Sequence, residues 1–315
     1  MASQLALKNR IASTTSLGKI FNAQEMIASS HIAKARTVAL SAKPYSDAIF
    51  DAVEALAVHS DIDHPIVKST EANPKVAVLA LTADRGMAGG YTSSIIRETE
   101  SLLARLDEDG KEPELYVYGR RGVSYYKYRN RDIAATWEGN TDKPDVAIAK
   151  EISDTVLADY MKSAADGGVS ELYIVFTEFI NMVVQKVRVL RMLPVEIVRG
   201  NSGEEQSGNS GQDLEPGVQS PARTTAPLYE FEPSERKVLD AILPKYVQAR
   251  IHECLLTAAA SETASRQNAM HTATDNANNL IDDLTRQLNA SRQASITQEL
   301  TEIISSADAL NREEE

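Results

Sequence analysis

The fold is decided by the C-terminal stretch KYVQARIHECLLTAAASETASRQNAMHTATDNANNLIDDLTRQLNASRQASITQELTEIISSADALNREEE (Lys245 to Glu315), which contains neither glycine nor proline. Its residues favour helix when their propensities are summed, so the stretch predicts one long helix. At 1.5 Å per residue, about 70 helical residues would span roughly 105 Å. The core of a compact domain is shorter than that, so we expect this helix to protrude or to pair with a partner.

The N-terminal part of the chain also lacks residues that stop a helix. All 11 prolines and 14 of the 15 glycines lie from Pro44 to Pro244. The stretch from Ser3 to about Lys43 therefore predicts a second long helix. Pro44 bends or ends this helix, although residues 47–60 still favour helix.

Charge and apolar spacing together predict that the two ends form an antiparallel coiled coil. Residues 1–43 carry a net charge of +5 and residues 250–315 one of −6, so the two helices attract each other. The apolar seam keeps the 3–4 spacing for only two heptads, at Ala273, Ala277, Leu280, Leu284 and Leu288, before serines follow. Small seam residues bury little apolar area, so we expect other subunits to clasp this coil.

The middle of the chain alternates between strand and helix patterns. The continuous apolar run KVAVLALT (Lys75 to Thr82) is typical of a buried parallel strand. The Asp166-Gly167-Gly168 sequence predicts the end of a helix. Further strands are predicted at residues 114–119, 171–179 and 183–195, the last two as a hairpin or consecutive strands, and helices at 92–106 and 146–165.

The sequence thus predicts a mixed fold, part α/β and part α+β, in which a long antiparallel coiled coil of N- and C-terminal helices accompanies a central Rossmann-like α/β domain. Residues 201–225 hold four glycines, four serines, two prolines and four carboxylates, which favours a flexible loop. The expected parts are an N-terminal coil helix at 1–60, the α/β domain at 73–200, the acidic loop at 201–227 and a C-terminal coil helix at 228–315.

Composition excludes several classes of protein. The net charge is −12 and the pI is about 5.0, so nucleic-acid binding would need a local basic cluster. The single cysteine, Cys254, excludes an internal disulfide and a multi-cysteine metal site, and its helical surroundings favour buried packing over a nucleophile. The N-terminus lacks the apolar core of a signal peptide, and a bilayer-spanning apolar run is missing, so we expect a cytoplasmic protein.

Three segments carry residues that could do chemistry, each with a plainer alternative. The loop ADRGMAGGYT (Ala83 to Thr92) could cradle a phosphate, but its spacing matches neither nucleotide fingerprint and favours a tight turn that contacts a neighbour. HSDIDH (His59 to His64) could bind zinc, but favours a solvated loop. GRRGVSYYKYRNR (Gly119 to Arg131) could bind single-stranded nucleic acid, but favours docking onto an acidic protein or loop.

Three motifs resemble the gamma subunits of bacterial F-type ATP synthases, and the resemblance covers essentially the whole chain. ASRQASITQELTEIISSADAL (Ala290 to Leu310) is similar to the family's ITQEITEI segment, with Ser305 and Ser306 where glycine is usual. DRGMAGGY is similar to DRGLCGGxN, and its matching residues are Asp84, Arg85, Gly86, Gly89 and Gly90. KIFNAQEMIASS (residues 19–30) is similar to KITKAMEMVAAS.

The resemblance implies a mechanical function with no catalytic, cofactor or metal site in this chain. It implies that the coil turns inside a hexamer of alpha and beta subunits, while the α/β domain contacts epsilon and the ring of c subunits and couples proton-driven rotation to ATP synthesis. It implies a peripheral location on the cytoplasmic face of the cell membrane, with membrane contact only indirect and no nucleic-acid partner. By the same resemblance Arg292, Gln293 and Thr297 contact a beta-subunit loop as a catch, and the coil tip carries Ile296, Leu300, Ile303 and Ile304.

Two other classes of function stay open from the residues alone. The α/β domain could serve a small-molecule enzyme that binds a nucleotide, and the coil could serve a free-standing scaffold. Paired cysteines of the kind that form a redox switch in some photosynthetic family members are missing. For the loop at residues 201–225 we hypothesise a role in modulating rotation or in contacting epsilon or the c ring.

Overall fold

The computed structural model describes residues 2–59, 73–195, 232 and 234–312. The predicted acidic loop, and the HSDIDH segment beyond its first residue, lie outside these ranges. In chain order the elements are helix α1 (Ala2–His59), strand β1 (Lys75–Leu81), helix α2 (Tyr91–Glu108), strand β2 (Glu112–Tyr118), helix α3 (Arg120–Tyr128), strand β3 (Ala135–Trp137), helix α4 (Val146–Tyr160), a 3-10 turn (Ala164–Asp166), strand β4 (Glu171–Phe179), strand β5 (Gln185–Leu193) and helix α5 (Glu235–Arg312).

The five strands form one sheet in the order β3-β2-β1-β4-β5. The first four strands are parallel, and β5 returns antiparallel to β4 as a hairpin. Strand β1 lies in the centre and its residues from Val76 to Leu81 are buried, as the continuous apolar run predicted. Helices at both ends of the chain with a central mixed sheet confirm the predicted fold class. Strand β3 was not predicted, because three residues carry too little pattern.

Helices cover both faces of the sheet. On one face α2 and α3 pack over Val76, Val78 and Ala80 of the central strand. On the other face α4 and the first part of α5 pack over Ala77, Leu79 and the neighbouring strands. Successive β1 residues alternate between these two cores because side chains of a strand point alternately to opposite faces.

The chain divides into two compact units. One unit consists of Met1–Ala28 and Gln267–Glu315, and among its described residues it contains only parts of α1 and α5. The other unit, Ser29–Arg266, contains the sheet, α2 to α4 and the remaining parts of α1 and α5.

Within the first unit the two helices pair antiparallel. The side-chain amide of Gln4 donates to the carbonyl of Ser291 at 3.3 Å, and a Cβ placed on Gly18 would lie 3.5 Å from the Cβ of Ala277. These contacts are 14 residues apart on each helix, which is two heptads, so the register is that of an antiparallel coil. Nδ1 of His271 also lies 3.0 Å from Oε1 of Glu25.

The seam is longer than predicted and keeps Ala277, Leu284 and Leu288, but one predicted residue does not belong to it. Leu280, assigned to the seam from sequence, is 42% exposed, whereas Ile281 takes the seam position. The error arose because Leu280 and Ile281 lie three and four residues after Ala277, so both fit the 3–4 spacing. Buried or half-buried positions keep the 3–4 spacing at Gln4, Leu7, Ile11, Thr14, Gly18, Phe21, Glu25 and Ala28 of α1, and at Met270, Thr274, Ala277, Ile281, Leu284, Leu288, Ser291 and Ser295 of α5.

One helix end differs from that predicted, and a proline lies inside another helix. Helix α1 continues through Pro44 to His59, so the proline does not end it. The proline costs one backbone bond, while nearby the hydroxyl of Ser46 donates to Glu253 at 2.6 Å and Val53 is fully buried. Helix α4 ends at Tyr160, not near residue 165, and the 3-10 turn ends at the left-handed Gly167.

We expect Gly122→Ala to destabilise the sheet-containing unit by about 1–3 kcal/mol through overpacking. A Cβ on Gly122 would lie 2.5 Å from Oγ1 of Thr82, a buried hydroxyl that itself accepts the Gly122 N–H at 3.1 Å. Gly86→Ala is the matched control, because a Cβ there meets nothing within 4 Å. Denaturant unfolding of the purified chain measures both, and equal stabilities would contradict the packing described.

Stability below neutral pH should depend on Glu171. Burial raises the pKa of this carboxyl, but hydrogen bonds from Lys111 at 2.7 Å and from Tyr173 at 2.8 Å outweigh it and lower the pKa below its usual value. A lowered carboxyl pKa stabilises the fold above the unfolded-state pKa, and this contribution is lost as the pH falls through the folded-state pKa.

Glu171→Gln should therefore reduce the free energy of unfolding by about 1–3 kcal/mol at neutral pH, and the difference from wild type should shrink on acidification. Glu114→Gln is the control, because the Lys75–Glu114 pair is about one-third exposed on both sides and such pairs contribute little. Unfolding curves at several pH values test this, and a difference that is independent of pH would contradict it.

Candidate functional site

The seven side chains assigned to the C-terminal end of α5 share one exposed face. At 100° per residue they fall within an arc of about 140° around the helix. All seven are exposed, and Ile303 is the most exposed of the apolar ones at 67%. We call this set the α5 face; it consists of Arg292, Gln293, Ile296, Thr297, Leu300, Ile303 and Ile304.

The seam lies on the other side of the helix. Ser291 and Ser295 are the last half-buried positions before residue 306, and the large apolar side chains that follow them up to Ile304 are exposed. The Thr297 hydroxyl donates to the carbonyl of Gln293 at 3.0 Å, a bond within the helix itself. The α5 face therefore offers apolar side chains beside polar ones that could form breakable contacts with a partner.

The motif loop after β1 is held by Asp84. Its Oδ1 accepts the N–H of Arg120 at 3.0 Å, and its Oδ2 accepts those of Gly139 at 2.9 Å and Thr141 at 3.2 Å. The Asp84 N–H donates in turn to the Thr141 hydroxyl at 3.0 Å. One carboxylate thus joins the segments that follow β1, β2 and β3, at the carboxyl edge of the sheet.

The other motif residues shape the turn into α2. Gly89 has φ of 55°, a left-handed conformation that favours glycine, whereas Gly90 is the N-cap residue of α2 with φ of −83°. Arg85 is exposed and Gly86 has open space around it. The tight strand-to-helix turn predicted from sequence is confirmed. Of its three glycines, only Gly89 has a backbone conformation that favours glycine.

Helix α5 is fastened to this edge of the sheet by buried polar groups. The hydroxyl of Tyr91 donates to the carbonyl of Ala258 at 3.2 Å, and that of Ser261 donates to the carbonyl of Thr177 at 2.9 Å. Glu262, 1% exposed, pairs with Arg266 at 2.5 Å. Burial raises the pKa of the Glu262 carboxyl, and the Arg266 guanidinium only partly offsets this.

The α5 face and the motif loop belong to different compact units. The basic stretch from Gly119 to Arg131 forms α3 and the turn after it, and only some of it is surface. Tyr126 is fully buried, and the guanidinium of Arg129 lies 5.1 Å from the ring centroid of Tyr125. Cys254 is buried as predicted, and burial raises its thiol pKa to about 12, which suits packing and not nucleophilic attack.

These features accompany clear matches to known proteins. The family model described as ATP synthase matches residues 3–310. The chain is 76% identical over 315 residues to the ATP synthase gamma chain of Bifidobacterium adolescentis, with 100% of both chains covered. It is 50% identical over 307 residues to the gamma chain of Beutenbergia cavernae, with 98% of both covered.

The chain belongs to the ATP synthase gamma chain family. Its fold is similar to that of a chain in the Euglena gracilis mitochondrial ATP synthase in rotational state 3, with a TM-score of 0.64, 14% identity, and 100% of this chain and 96% of that chain covered. A chain from the central stalk and c-ring structure of the Tetrahymena thermophila enzyme gives a TM-score of 0.57 at 19% identity, covering 81% of this chain and 99% of that one. None of the helices in the described ranges combines the length and apolar character that a membrane span requires.

Sequence reasoning missed the residues that hold this gamma-family chain together around the motif loop. Thr82 and Thr141 act through single hydroxyls, which leave no periodic signal. The Glu262–Arg266 pair could have been found, because a carboxylate four residues before an arginine in an otherwise small, apolar helix predicts an ion pair.

We expect Asp84→Ala to destabilise the chain by about 1–3 kcal/mol, because three backbone N–H groups lose their acceptor. Asp84→Asn keeps one acceptor oxygen, so its free energy of unfolding should lie between those of the unchanged chain and of Asp84→Ala. Arg85→Ala, next in the same motif but exposed, should change stability by less than about 0.5 kcal/mol. Denaturant unfolding ranks the three variants by their free energy of unfolding. An Asp84→Ala variant as stable as Arg85→Ala would contradict the role given to the Asp84 carboxylate.

Proposed function

We propose that this chain is the central-stalk rotor of its ATP synthase, non-catalytic itself, and that it couples rotation of a c-subunit ring to ATP synthesis in an alpha/beta hexamer. The observation that carries the proposal is the exposed α5 face at the end of a helix whose preceding part is paired with α1. The apolar side chains of this face are about half exposed or more, and a surrounding ring of subunits would bury them.

The chemistry of the α5 face suits contacts that form and break. Isoleucine and leucine side chains can slide against an apolar sleeve without directional bonds. Arg292, Gln293 and Thr297 add hydrogen bonds worth about 1 kcal/mol each net, which a turning shaft can break at every step. We assign these three residues to the catch on a beta subunit, and Ile296, Leu300, Ile303 and Ile304 to the bearing surface.

A non-catalytic role fits the use that the fold makes of Asp84. Enzymes with open α/β sheets place reactive groups beyond the carboxyl ends of the strands, where Asp84 lies. Here both of its carboxylate oxygens accept backbone N–H groups. A carboxylate occupied in this way closes loops and is poorly placed to abstract a proton from a substrate.

The remaining assignments follow the same proposal. Residues 1–60 and 228–315 act as the shaft, and residues 73–200 form a foot that contacts epsilon and the c ring. The loop at 201–227 would modulate rotation or contact the same partners. Within this proposal the chain lies peripherally at the cytoplasmic face of the cell membrane.

The decisive experiment is Arg292→Ala in the complete complex reconstituted into vesicles. Loss of a contact worth about 1 kcal/mol should lower the rate of proton-driven ATP synthesis about fivefold. Arg286→Ala is the matched control, because Arg286 is also exposed on α5 but hydrogen-bonds its own neighbour Asp283 and lies outside the α5 face. Thr297→Ala forms a second test, with Thr301→Ala, outside the α5 face, as its control. The two are matched because each threonine hydroxyl donates to the carbonyl four residues before it, at 3.0 Å for Thr297 and 2.9 Å for Thr301.

Equal rates of ATP synthesis for Arg292→Ala and Arg286→Ala, with the complex still assembled, would contradict the assignment of Arg292 to the beta-subunit catch. A free-standing scaffold is tested separately by co-purification: the rotor requires alpha, beta and epsilon subunits to be captured with this chain, and truncation after Leu288 to reduce their assembly. Nucleotide turnover by the purified chain alone would favour the enzyme alternative and contradict a non-catalytic role.

A further inference from the structure

An open cavity of about 830 Å³ lies between the motif loop, the start of α2 and the outer side of α3. Four arginines from three separate segments line it: Arg85, Arg97, Arg121 and Arg129. Tyr125 and Tyr128 complete the wall, and Tyr128 is 88% exposed. We call this the arginine cavity.

The arginine cavity carries more positive than negative charge, with four arginines and one glutamate among its lining residues. Among the described residues, none of the four guanidinium groups forms an ion pair with a carboxylate. The one acidic residue of the lining, Glu100, lies 3.9 Å from Arg131 instead. The net charge of the whole chain is −12, so four arginines without an ion-pair partner around one concave site are a local exception to its acidic character.

Two of the four arginines are held by contacts within the protein, Arg121 through its backbone and Arg129 through its side chain. The Arg121 N–H donates to the carbonyl of Ala83 at 2.9 Å, and the next N–H, of Gly122, donates to the Thr82 hydroxyl at 3.1 Å. The Arg129 guanidinium lies over the Tyr125 ring. Backbone anchors limit the ordering that a ligand would have to impose, which reduces the entropic cost of binding.

We propose that the arginine cavity binds a phosphate-bearing anion: free phosphate, pyrophosphate or the phosphate tail of a nucleotide. Guanidinium groups present paired N–H donors that match phosphate oxygens bidentately, and this recognition works best where several converge. An acidic polypeptide is the other class of anion, but carboxylates spread along a chain match a broad basic face better than a single cavity. The exposed Tyr128 ring adds a stacking surface that only a nucleotide would use.

Anion binding at this cavity is a property separate from the proposed rotor function and does not depend on it. The cavity lies within the sheet-containing unit, whereas the α5 face belongs to the other unit. The proposal requires binding only, without turnover of the ligand.

Equilibrium binding to the purified full-length chain, by calorimetry at about 0.15 M salt, tests the proposal. We expect saturable one-to-one binding of pyrophosphate with Kd below about 1 mM. Phosphate should bind more weakly, and ADP more tightly than pyrophosphate if the tyrosines stack on the base. Arg121→Gln and Arg97→Gln should each weaken binding about tenfold. Arg121→Lys keeps the charge but loses the paired donors, and should give an intermediate loss.

Arg286→Gln is the matched control, because it removes an exposed arginine from the other unit and should leave binding unchanged. Unfolding curves identify any variant that fails to fold, and Arg97→Gln, on the exposed side of α2, then carries the test. Absence of saturable binding, equal weakening by Arg286→Gln, or binding of a glutamate-rich peptide without binding of pyrophosphate would each overturn the proposal.

Discussion

The packing of the first part of α5 against the sheet is the interaction on which the rest of the structure depends. Leucine, valine, isoleucine and tyrosine side chains from Leu239 to Leu255 return every three or four residues to the same buried face. Without them the part of this side that α4 does not cover would face water, at a cost of roughly 25 cal/mol for each Å² of apolar surface. The same helix supplies one strand of the coil in the other compact unit.

The composition of α5 changes along its length in step with what it contacts. Large apolar residues pack on the sheet, and buried polar groups then follow at Ser261, Glu262 and Thr263. Next comes a seam whose later positions include Ala277, Ser291 and Ser295. Small residues let two helices approach closely, and after the seam ends the apolar side chains are simply exposed. In the rotor role that we propose, these successive surfaces would serve as the contacts with the sheet, with α1 and with the surrounding subunits.

The arrangement of the α5 face could be predicted, because it lies on regular structure. The α5 face follows from helical spacing once the helix is accepted, so seven residues identified by resemblance turned out to share one side. The seam residue Leu280 was misassigned because sequence spacing alone does not say which side of a helix meets its partner. The arginine cavity was not predicted, because Arg85, Arg97 and Arg121 meet only when β1 and β2 lie side by side.

The sequence by itself determined the helical ends, the buried parallel strand β1 and the presence of two strands at β4 and β5, because each depends on local periodicity and on where glycine and proline occur. It also carried the family motifs. Only the tertiary structure decided that Asp84 joins three loops, that Pro44 is tolerated inside α1, and which side of α5 faces its partner. These depend on contacts between residues far apart in the chain, which can outweigh a local preference such as the penalty of about 3 kcal/mol for proline inside a helix. Such contacts leave no pattern in a short stretch of sequence.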